Sequence, residues 1–132
     1  TEVLKEELDT NQQKIVSVMQ SVMRELHFDF PVFFFGSAAR KGAGLPTDLD
    51  IGTNGWLRDQ DIKQWDDYFS RLRTEMNSDR NPILGRKNHV GVMTDVMVQA
   101  LAVSALRYGR ALRVTPDQVF AIELAAPGGA GS

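Results

Sequence analysis

Val32-Phe33-Phe34-Phe35 is a run of four bulky, β-favouring apolar residues, preceded by Pro31 and closed by Gly36. A strand sends successive side chains to opposite faces, so a run without a polar position predicts a strand buried on both. Such a strand needs cover on each side, and the flanking sequence supplies amphipathic helices. From Val3 to Leu26, apolar residues fall at Leu4, Leu8, Ile15, Val18, Met19, Val22 and Leu26, a three-and-four spacing that predicts one helix, ended by Asp29 and Pro31. Asp59 and Asp61 stand where helix starts favour acids, and Ile62, Trp65, Phe69, Leu72 and Met76 carry a second long helix to about Ser78.

Between these helices, Ser37 to Arg40 reads as a short helix, and Gly42, Gly44 and Pro46 as a loop feeding a second strand, Asp48 to Thr53. Beyond the break at Asn81-Pro82 and a loop with Gly85, Val90 to Val98 predicts a third strand, interrupted by Asp95. Ala102 to Tyr108 follows as a short helix stopped by Gly109, and Ala111 to Val114 as an extended piece. Thr115-Pro116-Asp117-Gln118 has the form of a capped helix start, a Thr with Pro next and Gln three residues on, which predicts a last helix to about Leu124. The expected class is α/β (α+β), a small mixed sheet flanked by helices, in a single domain over 1–126 with a flexible tail over 127–132.

Composition narrows the chemistry. Cysteine is absent, which removes disulfides, thiolate metal sites and cysteine nucleophiles and makes a reducing, cytoplasmic setting the expectation. No apolar run reaches the roughly 18 to 20 residues needed to cross a bilayer, so no membrane partner is expected. With Lys+Arg 15 against Asp+Glu 17, a net charge of -2 gives no broad basic surface for a nucleic-acid backbone. Local basic clusters (Arg71, Arg73, Arg80, Arg86 and Lys87; Arg107, Arg110 and Arg113) read foremost as solvated helix faces. His27 and His89 are single and far apart, without zinc-like spacing, and are assigned surface or structural roles. Phe33 to Phe35, Trp65 and Phe69 are assigned to the core and Trp56 to loop packing.

One stretch carries chemistry. Asp48 and Asp50 are two apart in a predicted strand and so present paired carboxylates to one face, while Leu49 and Ile51 enter the core. Two like charges so close favour a divalent cation; Mg²⁺ takes oxygen ligands and commonly one or two carboxylates beside water and phosphate. Upstream, the Gly36-Ser37 turn at a strand end offers backbone N–H groups and a hydroxyl suited to a triphosphate.

Gly36-Ser37 is separated by Ala38 to Thr47, ten residues, from Asp48-Leu49-Asp50. In this the segment resembles the signature of the DNA polymerase β-like nucleotidyltransferase superfamily, a Gly-Ser pair followed after ten residues by Asp-x-Asp. Arg40 matches a frequent basic position, Gly52 a frequent small one, and Thr47 keeps a hydroxyl where Ser is common; Lys41 replaces the Gly usual in the longer pattern. Ala105-Leu106-Arg107-Tyr108-Gly109-Arg110-Ala111-Leu112 is similar to the Leu/Ile-x-x-Gly-x-x-Leu ending of the minimal nucleotidyltransferases, so the likeness runs from Val32 to Leu112.

The resemblance implies a polymerase β palm-like fold and two Mg²⁺ ions on Asp48 and Asp50, bridging the phosphates of ATP or another nucleoside triphosphate. It implies a third carboxylate from a neighbouring strand, for which Asp95 is the candidate, completing one metal site and helping to deprotonate the acceptor hydroxyl. Gly36 and Ser37 would grip the β- and γ-phosphates, and Arg40 or Lys41 would neutralise charge on departing pyrophosphate. The implied reaction moves a nucleoside monophosphate, AMP from ATP in the first instance, to a hydroxyl. Stand-alone members similar to this chain work beside a helical protein, and the most specific expectation is an antitoxin paired with a HEPN-type RNase toxin; self-association is left open. The alternatives are the catalytic subunit of an aminoglycoside-type small-molecule nucleotidyltransferase and a non-catalytic nucleotide-binding module.

Overall fold

A computed structural model of the chain describes residues 1–42, 48–53, 58–78, 87–92 and 95–122, with the backbone alone at 48 and 87–92. The expected loop at 43–47, Trp56, Arg80, the break at Asn81-Pro82, Gly85, Arg86 and the tail over 127–132 lie outside the described residues.

After a 3-10 turn over Lys5–Glu7 come α1 (Thr10–Glu25), β1 (Val32–Phe35), a 3-10 turn over Ser37–Ala39 and β2 (Asp48–Thr53). They are followed by α2 (Asp59–Met76), β3 (Lys87–Val92), α3 (Asp95–Tyr108), β4 (Leu112–Val114) and β5 (Val119–Ala121). The sheet order is β3-β2-β1-β4-β5. β2, β1, β4 and β5 are joined antiparallel, and β3 adds to β2 in parallel, so the sheet is mixed.

β1 is central and doubly covered. Val32 and Phe34 join Leu49, Ile51, Leu112 and Val114 in a core closed by α1 (Ile15, Met19, Val22, Met23) and α2 (Trp65, Tyr68, Leu72, Met76). Phe35 and Phe33 face the other way, against Met97, Ala100, Leu101 and Ala105 of α3. Both halves of the apolar run are thus explained, and so is the alternation in β2, where Leu49 and Ile51 are fully buried.

Three expectations are corrected. The first helix starts at Thr10 and not at Val3, because Asp9 caps it: its Oδ1 accepts the Gln12 N–H at 2.8 Å. Val3 instead donates its N–H to the carbonyl of Val119, lying against the edge strand. The third strand ends at Val92, and α3 begins at Asp95, seven residues before the helix expected from Ala102. Val96 and Val98 favour strand locally, but Met97, Leu101, Ser104 and Ala105 fall at helical spacing on one face, and burying that face against Phe35 outweighs local propensity. The capped start at Thr115 is real as a hydrogen bond and wrong as a helix. Thr115 Oγ1 accepts the Gln118 N–H at 3.1 Å, but Thr115 N–H also donates to the Gln118 carbonyl, closing a hairpin turn from which Val119 continues as β5.

Tyr68 is fully buried in the α1–α2 layer, stacked on Phe28 at 4.5 Å between ring centroids, with its hydroxyl 3.5 Å from the Met19 carbonyl. Burial pushes its phenol far above the ordinary tyrosine value. The folded chain therefore keeps the proton that the unfolded chain loses near pH 10, so the Tyr68 contribution to stability is constant below about pH 10 and falls above it. Urea unfolding from pH 7 to 11 should show that decline, and Tyr68→Phe should remove Tyr68's share of it; an identical alkaline slope in both proteins would contradict the assignment.

Candidate active site

The Gly-Ser turn and the Asp-x-Asp strand meet at one corner of the sheet. β1 and β2 are antiparallel with Phe35 opposite Asp50, so the chain leaving β1 at Gly36 passes beside the start of β2. Gly36 adopts φ 81° and ψ −165°, a region open essentially to glycine alone. Its missing side chain matters more. A Cβ placed there would stand 3.0 Å from Asp50 Cγ and 3.2 Å from its Cβ, with Oδ2 nearer still. The Asp50 carboxylate thus lies directly against the backbone of the turn. Asp50 is half-buried, and positions 48 and 50 share one face of β2, opposite the buried Leu49 and Ile51.

A residue with no local sequence signature holds the turn from behind. Ser104 of α3 is buried, and its Oγ accepts the Gly36 N–H at 2.8 Å while donating to the Arg110 carbonyl at 3.4 Å. The expected gift of amides to a triphosphate is narrowed by this, since the Gly36 N–H is spent inside the protein. The Ala39 and Arg40 N–H groups are also engaged, on the carbonyls of Gly36 and Ser37. The amides of Ser37 and Ala38, at the start of the 3-10 turn, are those without an acceptor inside it. Sequence reasoning misses Ser104 because its partner is 68 positions away; a serine among the apolar positions of α3 is the one available sign.

The remaining site residues divide. Ser37 and Arg40 are exposed at the turn, Arg40 closing it. Asp95 does not stand on a strand. The strand expected to carry it ends at Val92, and Asp95 opens α3 as an exposed acid, where a negative charge complements the helix N-terminus. It sits nine residues, or about 13 Å of helix rise, from the Ser104 that touches Gly36. Beside β2 stands β3 instead, with Lys87 in register with Asp48 and His89 with Asp50. Among the described side chains no three His, Asp or Glu gather at one point; those of Asp48 and His89 lie outside that set.

Four of the described cluster residues have local partners, whereas Arg110 Nη1 is buried without a hydrogen-bond partner among the described residues. Arg71 pairs with Glu25 and Glu75, Arg73 lies over the Phe69 ring, Arg107 over Tyr108 and Arg113 over Phe120. No described helix is long and apolar enough to cross a membrane.

No family model, curated protein or solved structure matches the chain significantly. The geometry therefore stands by itself. A carboxylate pressed on a glycine turn, with a second acidic position on the same strand face, fits a divalent cation and a bound phosphate: the donor set is oxygen, as Mg²⁺ requires, and the missing Cβ leaves Asp50 room beside the turn.

Proposed function

We propose that the chain is a Mg²⁺-dependent nucleotidyltransferase of polymerase β palm-like architecture, with Asp48 and Asp50 as metal ligands and the Gly36-Ser37 turn as phosphate holder. The observation that carries it is the contact between the Gly36 backbone and the Asp50 carboxylate, which joins the two halves of the motif across an antiparallel pair. Cations on the two acids would supply neutralisation of the attacking and leaving oxygens.

The chain's own groups have separable tasks in this reading. The amides of Ser37 and Ala38 and the Ser37 hydroxyl hold the terminal phosphates, Ser104 fixes Gly36, and exposed Arg40 meets the charge that builds on the leaving group. The acceptor hydroxyl oxygen bonds to the α-phosphorus as the bond from that phosphorus to the β-phosphate oxygen breaks. Pyrophosphate leaves, and the hydroxyl proton passes to solvent or a nearby base. The acceptor we favour is a hydroxyl on a helical protein partner of HEPN type. Support for a protein partner comes from α3, whose Val96, Val103 and Leu106 stand exposed along its outer side.

The test is label transfer in Mg²⁺ with the full chain and candidate acceptors. Label from the α-phosphate of ATP should pass to the acceptor while label from the γ-phosphate appears in pyrophosphate. Transfer of the γ-label would mark a kinase, and nucleotide binding without transfer of either would mark the binding module.

A further inference from the structure

The stretch from Gly36 to Gly42 is held by two helices. At its entry, Ser104 of α3 accepts the Gly36 N–H. At its exit, the first turn of α1 supplies both partners: Gln12 Nε2 donates to the Ala39 carbonyl at 2.7 Å, and Asp9 Oδ2 accepts the Gly42 N–H at 2.7 Å. The same two side chains form the capping box of α1, with Asp9 Oδ1 on the Gln12 N–H at 2.8 Å and Gln12 Oε1 on the Asp9 N–H at 3.2 Å. A capping box uses one oxygen from each residue. The second carboxylate oxygen and the amide nitrogen are therefore not needed by the helix, and both reach the same short stretch, 33 and 27 positions away. Between the two anchored positions stand Arg40 and Lys41, both exposed.

We propose that Asp9 and Gln12 are positioning residues for the departure of pyrophosphate: by fixing the backbone at 39 and 42 they hold Arg40 and Lys41 in a set relation to the Gly36-Ser37 turn, as a paired cationic seat for the leaving diphosphate. The proposal rests on the transferase reading and deepens it. Cations on an untethered loop have to be ordered as the reaction proceeds, whereas cations on a fixed backbone are aimed in advance at the place where charge develops. Charge on the leaving group grows in the transition state, so loss of the hold falls on kcat and leaves KM for ATP nearly unchanged. Neither residue touches the reacting atoms in this arrangement; both act through the segment they bind.

Serine caps a helix about as well as aspartate, so Asp9→Ser in the full chain separates the two tasks. Its single oxygen stays on the Gln12 N–H and gives up the Gly42 N–H. The variant should unfold at the wild-type urea midpoint, while amide hydrogen exchange at Gly42 becomes faster and that of α1 stays as it was. Inorganic pyrophosphate with Mg²⁺ should bind about tenfold more weakly, and kcat for α-label transfer should fall by about the same factor with KM for ATP unchanged. In a chain already carrying Arg40→Ala and Lys41→Ala, Asp9→Ser should lower kcat no further, because its effect passes through those two cations. Pyrophosphate that binds wild type and Asp9→Ser alike, or binds neither, would overturn the proposal, as would a loss in kcat that adds in full to that of the double variant. The two readings fail separately: weakened pyrophosphate binding in Asp9→Ser without label transfer by the wild type removes the transferase alone, and label transfer at equal kcat in both proteins removes the hold alone.

Discussion

Gly36→Ala should abolish label transfer while leaving a folded, weakened protein. Two effects act at that position. The backbone conformation, φ 81° with ψ −165°, costs a residue with a side chain about 1–3 kcal/mol. The added methyl would also meet Asp50: turning the side chain moves Oδ2 and Cγ away and takes the carboxylate from its place, while the contact to Cβ at 3.2 Å still asks β2 or the turn to shift slightly. A domain of this size has about 5–15 kcal/mol in hand, so it survives the strain. The proposed catalysis should not, since a displacement of about 1 Å at a positioned group can cost about a hundredfold and here both carboxylate and turn move. Urea unfolding should show a loss of about 2–3 kcal/mol with an unchanged slope, and α-label transfer should fall below detection. Wild-type transfer in Gly36→Ala would mean that the corner is not where the reaction occurs.

Asp50→Asn is the complementary substitution, with the larger separation between folding and function. The amide keeps the shape of the carboxylate and removes its charge, so the chain should still fold, as far-UV circular dichroism would show. What is lost, on the proposed function, is the anionic ligand. Charge stabilisation by a bound cation is worth several kcal/mol in the transition state, and losing about 4 kcal/mol slows transfer about a thousandfold. Cation affinity, read by Mn²⁺ titration, should fall in parallel. An Asn variant that transfers label at the wild-type rate would contradict any role for this acid in holding metal.

Much of the corner is legible in the sequence because its two halves are local patterns. The apolar run Val32 to Phe35, its closure by Gly36 and the alternation of Asp48, Leu49, Asp50 and Ile51 each state a strand and its faces within a few residues, and the structure keeps both strands, with Leu49 and Ile51 buried. The boundary at Asp95 is not legible, since Val96-Met97-Val98 favours strand by composition and its helical fate depends on Phe35, some 60 positions earlier, which gives the other face something to cover. Thr115 to Gln118 misleads for the opposite reason. The side-chain bond that caps a helix is the same bond that closes a turn, and the conformation of the next residues is decided by whether a neighbouring strand is free to pair, as β4 is here. The register of His89 with Asp50 and the hold of Ser104 on Gly36 are both encounters between distant segments, and no window of sequence contains them.

The position of β1 in the middle of the sheet carries a consequence for how the chain comes together. Its first neighbour, β2, arrives soon after it, but its second, β4, begins only at Leu112. During synthesis or refolding, three phenylalanines and a valine with one bare row of amides and carbonyls must wait for nearly the end of the described chain. A row of that kind invites pairing with another molecule. Conditions that delay arrival of residues 112–114 should therefore favour aggregation over native closure, even though the finished sheet leaves this strand with a partner along each edge.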